Sequence, residues 1–236
     1  AWTQIGRILE DEVDKNYSSH SIALSRDSST LVVHCHFLDN TGIEKGILRV
    51  YQKVNSNWIQ IGNDIEGLGN FDRAGTSVSI SDDGSKIAVG MRSVNYSNLT
   101  GELIGVVRIY ENVDNIWSQL GTDLDGSGWG NRGGNSINIS SDGNVVAIGT
   151  PGIDANNLVD SGHVRIYKNV NNTWTQIGNN IAGSSSGDQS GWSVSLSSDG
   201  SVIAIGSPTK NESSGSVSIF QYSNGNWIKI GSDIDG

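Results

Sequence analysis

The stretch Trp192-Ser-Val-Ser-Leu-Ser-Ser-Asp-Gly-Ser-Val-Ile-Ala-Ile-Gly206 decides the fold, together with Gly215-Ser-Val-Ser-Ile-Phe220 and Trp227-Ile-Lys-Ile-Gly231 downstream of it. Val194 and Leu196 alternate with serines, Ser198-Asp199-Gly200 follows, and a β-branched run then ends in glycine. Period-2 alternation bounded by turn residues reads as strands, and Asp-Gly tolerates the left-handed backbone of a tight hairpin. The large residues face one side of the strand and the serines the other, so a neighbouring sheet can approach closely over the serines.

The whole pattern recurs. The pentad appears as Trp2-Thr-Gln-Ile-Gly6, Trp58-Ile-Gln-Ile-Gly62, Trp117-Ser-Gln-Leu-Gly121, Trp174-Thr-Gln-Ile-Gly178 and Trp227-Ile-Lys-Ile-Gly231, at spacings of 56, 59, 57 and 53 residues. The alternating block recurs at Ser77 to Gly90 and Ser136 to Gly149, with a worn copy from Ser21 to His34 in which Asp27-Ser28 replaces Asp-Gly. A third block reads Gly46-Ile-Leu-Arg-Val-Tyr51, Gly105-Val-Val-Arg-Ile-Tyr110, Gly162-His-Val-Arg-Ile-Tyr167 and Gly215-Ser-Val-Ser-Ile-Phe220. Three blocks and a pentad make four short strands, and a four-stranded unit of this length in series is the signature of a propeller. The expected fold is all-β, a β-propeller of four blades of ~57 residues, either complete or a segment of a larger propeller or array. The blades fall at 7–62, 63–121, 122–178 and 179–231, with an extra pentad strand at 1–6.

The repeat resembles the FG-GAP repeat of integrin-α-type propellers, in a Trp-x-Gln-Ile-Gly-x-Asp-Ile-x-Gly variant similar to repeats of secreted marine bacterial and algal proteins. That resemblance implies a calcium loop of the Asp-x-Asp-x-Asp-Gly kind. The matching loops are Asp82-Asp83-Gly84, Ser141-Asp142-Gly143 and Ser198-Asp199-Gly200, whose one or two carboxylates fall short of the oxygens calcium takes. The family's metal site is therefore not carried over, and no cofactor is expected.

Composition narrows the function classes. Of 236 residues, 31 are glycine and 2 proline, and the formal net charge of −10 sets the chain against nucleic acid or an anionic bilayer. No run approaches the ~20 apolar residues of a membrane helix. Cys35 is alone, so no internal disulfide forms. Asn16, Asn95, Asn98, Asn138, Asn171 and Asn211 open Asn-x-Ser/Thr triplets, which favours an extracellular or cell-surface location with these six as glycosylation candidates.

Recurrence separates fold from function: what every repeat carries serves the repeat. The pentad tryptophans are core, and Arg49, Arg108 and Arg165 are expected to pair with carboxylates on adjacent strands. The segments Asp64-Ile-Glu-Gly67, Asp123-Leu-Asp-Gly126 and Asp233-Ile-Asp-Gly236 are read as structural turns rather than metal loops. His20, His34, Cys35 and His36 crowd the first repeat, but alternation points Cys35 away from its flanking histidines, against one shared metal. Trp129 and Trp192 do not recur, and with Asp72, Arg73, Arg132 and Asp188 they lie in connections leading into a first strand, the candidate binding face. No catalytic motif stands out. The expected function is a non-catalytic interaction or assembly module, an adhesin or filament component, with a carbohydrate-binding lectin as the alternative. Five pentads for four repeats also leave one strand over. The expected partner is accordingly another protein, or a second molecule paired through an edge strand, with glycan as a further candidate.

Overall fold

In the computed structural model, which describes residues 17–38, 44–67, 74–94, 103–125 and 133–236, each repeat forms one antiparallel sheet. The first contains β1 (Tyr17–Leu24), β2 (Thr30–Leu38), β3 (Glu44–Val54), β4 (Asn57–Gln60) and β5 (Ile65–Glu66). The second contains β6 (Ala74–Ile80), β7 (Lys86–Val94), β8 (Leu103–Val113), β9 (Ile116–Gln119) and β10 (Leu124–Asp125). The third is β11 (Ser136–Ile139), β12 (Val145–Thr150), β13 (His163–Val170), β14 (Thr173–Gln176) and β15 (Ile181–Ala182). The fourth is β16 (Ser193–Leu196), β17 (Val202–Ser207), β18 (Ser216–Ser223), β19 (Asn226–Lys229) and β20 (Ile234–Asp235).

The turn between the first two strands is the same in all four blades. Asp27, Asp83, Asp142 and Asp199 each accept a hydrogen bond from the serine hydroxyl two residues earlier, at 2.6–2.7 Å, and one from the backbone N–H two residues later, at 2.9–3.0 Å. This is an Asx-type turn closed by one carboxylate. Gly84, Gly143 and Gly200 supply its left-handed residue at φ of 72°, 67° and 69°, and in the worn first copy Ser28 adopts φ 59° there.

The outer strand is broken in two. In the first blade β4 pairs with the end of β3, and β5 pairs with its start through Ile47↔Glu66 and Leu48↔Ile65. The break falls at the pentad glycine, left-handed at φ 71°, 79°, 69° and 72° in Gly62, Gly121, Gly178 and Gly231. The acidic segment is thus a two-residue strand of the blade before it, not a turn opening the next. The blade boundaries accordingly move from 62, 121 and 178 to beyond Glu66, Asp125 and Ala182. The outer strand is the edge of all four sheets, so every blade has an unpaired edge; the extra pentad strand expected at 1–6 lies outside the described residues.

Blades stack through a repeated set of contacts. Ser21, Ser77 and Ser136 donate from Oγ to the carbonyls of Gly75, Gly134 and Gly191 in the next blade, at 2.5, 2.6 and 2.8 Å. Trp174 and Trp227 donate from Nε1 back to the carbonyls of Leu120 and Ile177, at 2.9 and 3.0 Å. The indoles of Trp117, Trp174 and Trp227 lie over Gly62, Gly121 and Gly178, where a Cβ would meet the ring at 2.7–2.9 Å. Apolar cores fill the three junctions, with Val32, Leu48, Ile87 and Met91 in the first, Val107, Ile109 and Val146 in the second, and Ile166, Ile203 and Ile205 in the third. Among the described residues no such core joins the fourth blade to the first.

Candidate functional site

The third strand and the broken outer strand meet at one recurring polar cluster. In the second blade Arg108 donates to both oxygens of Asp123 at 2.8 Å, and Gln119 adds a bond to the same carboxylate at 2.7 Å. Arg108 holds the Asp123 carboxyl below its ordinary range, helped by Gln119, and its own Nη1 rests 3.3 Å from Met91 Sδ. In the first blade Arg49 donates from Nε to both oxygens of Asp64, at 3.2 and 3.3 Å, so the expected arginine–carboxylate pairing is found there and in the second. The break in the outer strand brings the aspartate opposite the arginine.

The fourth blade departs from this cluster at three places. The register Ile205↔Ser218 matches Val89↔Arg108, so Ser218 stands where arginine does and Ser207 where Met91 does, while Lys229 replaces the pentad glutamine. Two long side chains have become serines. The space they leave is a cavity of about 180 Å³ between the third and fourth blades, lined by Ile181, Asp188, Ser207, Lys210, Ser218 and Lys229 among others.

Lys210 enters it from a turn, Lys210–Ser213, in which Asn211, Glu212 and Ser213 are left-handed at φ 53°, 57° and 71°. Three non-glycine residues in that region cost about 1 kcal/mol or more each, and such strain concentrates at functional sites. Lys210 Nζ lies 2.9 Å from Asp233 Oδ2, and Lys229 Nζ lies 2.5 Å from Oδ1. Ser218 Oγ donates to the same carboxylate. Lys229 foremost, then Ser218 and Lys210, hold the Asp233 carboxyl far below the usual range. Two ammonium groups thus converge on one carboxylate, and with Asp188 on the same cavity's wall the formal charges balance while the lysine N–H groups remain as donors. A cluster of this kind binds a small polar or anionic group through charge-assisted donors.

The residues expected from the sequence divide. Asp188 is 4% exposed and accepts from the Ser184 N–H, the Ser184 hydroxyl and the Ser185 N–H, each at 2.9 Å, so it staples the lead-in loop at the cavity's wall. Trp192 is 42% exposed and lines a separate groove beside Val217 and Ile234. Asp72, Arg73, Trp129 and Arg132 lie outside the described residues, as do Asn16, Asn95 and Asn98. Asn138 bonds Ser79 Oγ and the Leu196 N–H between three blades, whereas Asn171 and Asn211 are exposed. His34 and Cys35 are buried, and among the described residues no three His, Cys, Asp or Glu gather as a metal site would require. Sequence reasoning missed Ser207, Lys210 and Ser218 altogether. Their signal was the repeat's own exceptions, serine for arginine in the third block and lysine for glutamine in the pentad.

One strand from the cavity wall, His163 is 3% exposed and its Nε2 has no hydrogen-bond partner. Burial, with the Arg165 charge second, pushes its pKa down to about 4. The unfolded chain then takes up a proton near pH 6.5 that the folded chain refuses until about pH 4. Stability is expected to be full above pH 6.5 and to fall by up to about 3 kcal/mol as the pH drops to 4. His163→Val, the residue of Val106 in the second blade, should remove that decline, read as the urea midpoint against pH.

No protein-family model matches the chain, and no curated protein matches it. Solved structures do. The periplasmic gluconolactonase PpgL of Pseudomonas aeruginosa is similar at 17% identity and a TM-score of 0.57, over 91% of this chain and 56% of that one. The β-propeller domain of the Trilobed protease from Pyrococcus furiosus is similar at 12% identity and a TM-score of 0.55, over 93% and 58%. This chain folds as a β-propeller. A hypothetical selenium-binding protein of Sulfolobus tokodaii aligns at 12% identity and a TM-score of 0.61, over 92% of this chain and 55% of that chain. The propeller chain thus spans little more than half the length of each of these proteins.

The similarity to PpgL overturns the expectation of a non-catalytic adhesion or assembly module, and with it the expectation that the chain is no enzyme. The physical reason is the way a propeller assembles polar groups. Asp188, Ser207, Lys210, Ser218, Lys229 and Asp233 converge from loops and strands that no motif of fixed spacing records.

Proposed function

We propose that the chain forms four blades of an enzyme propeller that hydrolyses a small sugar-acid lactone, with its site in the cavity between the third and fourth blades. The observation that carries this reading is the fourth blade's exchange of the recurring third-strand arginine for Ser218, beside Ser207, Lys210, Lys229 and Asp233. The likeness to PpgL supports the substrate class. At about 180 Å³ the cavity is below the range of roughly 300–1,000 Å³ for drug-sized ligands, so it suits a single sugar ring.

Hydrolysis adds water to the lactone carbonyl carbon and moves the carbonyl electron pair onto oxygen. The ring C–O bond then breaks, one of the water's protons ends on the released hydroxyl, and the other passes to solvent as the product carboxylate forms. Lys210 and Lys229 are the donors for the transient oxyanion and for the product carboxylate. Asp233 is the positioning residue that holds both ammonium groups in the cavity. The repeat pattern also supports kinship with FG-GAP-type propellers and a location outside the cytoplasm, at the cell surface or beyond.

The test is titration of acid released from δ-gluconolactone at constant pH. The chain should hydrolyse it saturably above the spontaneous rate. In Ser207→Met/Ser218→Arg/Lys229→Gln, which rebuilds the second blade's cluster and fills the cavity, the rate should drop by about 10²–10³ with an unchanged or higher urea midpoint. A wild-type rate equal to spontaneous hydrolysis, over a panel of aldonolactones, would sink the proposal.

A further inference from the structure

Three blade junctions are built alike, and the fourth blade carries the same half of that junction with nothing among the described residues against it. At Gly46, Gly105 and Gly162 a Cβ would strike the backbone of Ala74, Gly133 and Ser190, residues at or just ahead of the start of the next blade's first strand. At Gly90 and Gly149 it would strike the carbonyls of Gly134 and Gly191. These glycines are what lets the next blade's lead-in lie flat on the sheet. Among the described residues, Gly206 in the fourth blade meets only Ser193 of its own blade, Gly215 only its own Pro208, and Gly231 nothing within 4 Å.

The apolar residues tell the same story. Ile65, Leu124 and Ile181 on the short outer strands are 5–7% exposed, yet Ile234 is 60% exposed. Their partners Leu48, Val107 and Val164 are 0–1% exposed, yet Val217 is 37%. Between them lies a groove of about 390 Å³ lined by Trp192, Gly206, Pro208, Gly215, Val217 and Ile234. A sequence drift toward solvent would have lost the glycines and the aliphatics. Here both are kept.

We infer that this face is the docking site for a further blade of the same repeat. The required chemistry of the occupant is specified by the three junctions already made. It presents a small residue and a glycine at or just ahead of the start of its first strand, as in Ala74-Gly75, Gly133-Gly134 and Ser190-Gly191, and these fill the groove over Gly206 and Gly215. The glycine carbonyl accepts from Ser193 Oγ, as Gly191 accepts from Ser136. A pentad tryptophan lies over Gly231 and donates to the Ile230 carbonyl, as Trp227 does to Ile177 over Gly178.

The first blade of a second copy is the poorer occupant. It has Ser19 at the lead-in glycine position and Ser28 at the turn. At the third junction a Cβ on Gly191 would lie 3.0 Å from Val164 Cγ2, and one on Gly200 would lie 2.7 Å from Val145 Cβ. Both contacts are tighter than packed side chains accept without shifting. The inference uses the opposite side of the fourth blade from the proposed lactone cavity and stands or falls separately from it.

The experiment lengthens the chain after Asp235 by a copy of residues 126–182 and follows amide hydrogen exchange in β18 and β20. Docking should slow those amides about tenfold or more relative to the unextended chain. Ile234→Asp in the lengthened chain should abolish the slowing. In the unextended chain that substitution should leave the urea midpoint unchanged, because Ile234 is exposed there. Unaltered exchange in the lengthened chain would overturn the inference. So would an unextended chain that sediments as a dimer lost in Ile234→Asp, since a second copy would then be the occupant.

Discussion

Trp174→Ala lowers the stability of the chain by about 4 kcal/mol, within the 3–5 kcal/mol typical of a buried tryptophan truncated to alanine. Trp174 is 8% exposed, packs among Leu120, Leu124 and Val146, and gives its indole proton to the Leu120 carbonyl at 2.9 Å across the second junction. The substitution removes the ring from the core and leaves that carbonyl without its donor, two losses that add in the same direction. Urea denaturation is the measurement, with Trp192→Ala as the internal control. Trp192 is 42% exposed, so its loss should change stability by no more than about 0.5 kcal/mol. Equal effects from the two would refute the division between Trp174, which holds two blades together, and the lead-in Trp192, which does not.

Gly149→Ala is expected to cost about 3 kcal/mol, at the upper end of overpacking effects. No unusual backbone angle is involved. The added methyl would lie against the Gly191 carbonyl and Ser136 Oγ, the two partners of the hydrogen bond that joins the third and fourth blades. Backbone cannot rotate away as a side chain can, so the blades must part or the bond must break. Gly206→Ala at the equivalent position of the fourth blade meets only Ser193, whose hydroxyl can turn aside, and should cost about 1 kcal/mol. Thermal or urea unfolding of the two variants measures the difference directly. If a further blade docks on that face, the lengthened chain should bring the Gly206→Ala penalty up to that of Gly149→Ala.

Most of the fold is legible along the chain because a blade is a local object. Alternation in Ser193 to Leu196, the Asp-Gly turn and the β-branched run of Val202 to Gly206 each speak for themselves within a few residues, and fourfold recurrence removes the ambiguity any single copy would leave. The arginine–carboxylate pairing was legible for the same reason: Arg49 and Asp64, like Arg108 and Asp123, recur at the same offset. The acidic segments were misread as turns. Two residues are too few to announce a strand, and only the pairing of Ile65 with Leu48 gives them to the preceding blade.

Recurrence singles out Trp129 and Trp192 as residues outside the pattern, whereas the cavity lies beside exceptions within the pattern, Ser218 and Lys229. A substitution inside a repeat looks like drift until the vacated volume and its new neighbours are known. The sequence by itself determined the blade, its turns, its arginine–aspartate clusters and the number of its copies, because all of these depend on short-range spacing and side-chain chemistry. Only the tertiary structure decided where Lys210 meets Asp233, that the fourth blade exposes an apolar face as well as an edge, and which glycines carry the weight of a neighbouring backbone. Those are contacts between residues some 20 to 60 positions apart, and their energies depend on volume and distance that no linear pattern records.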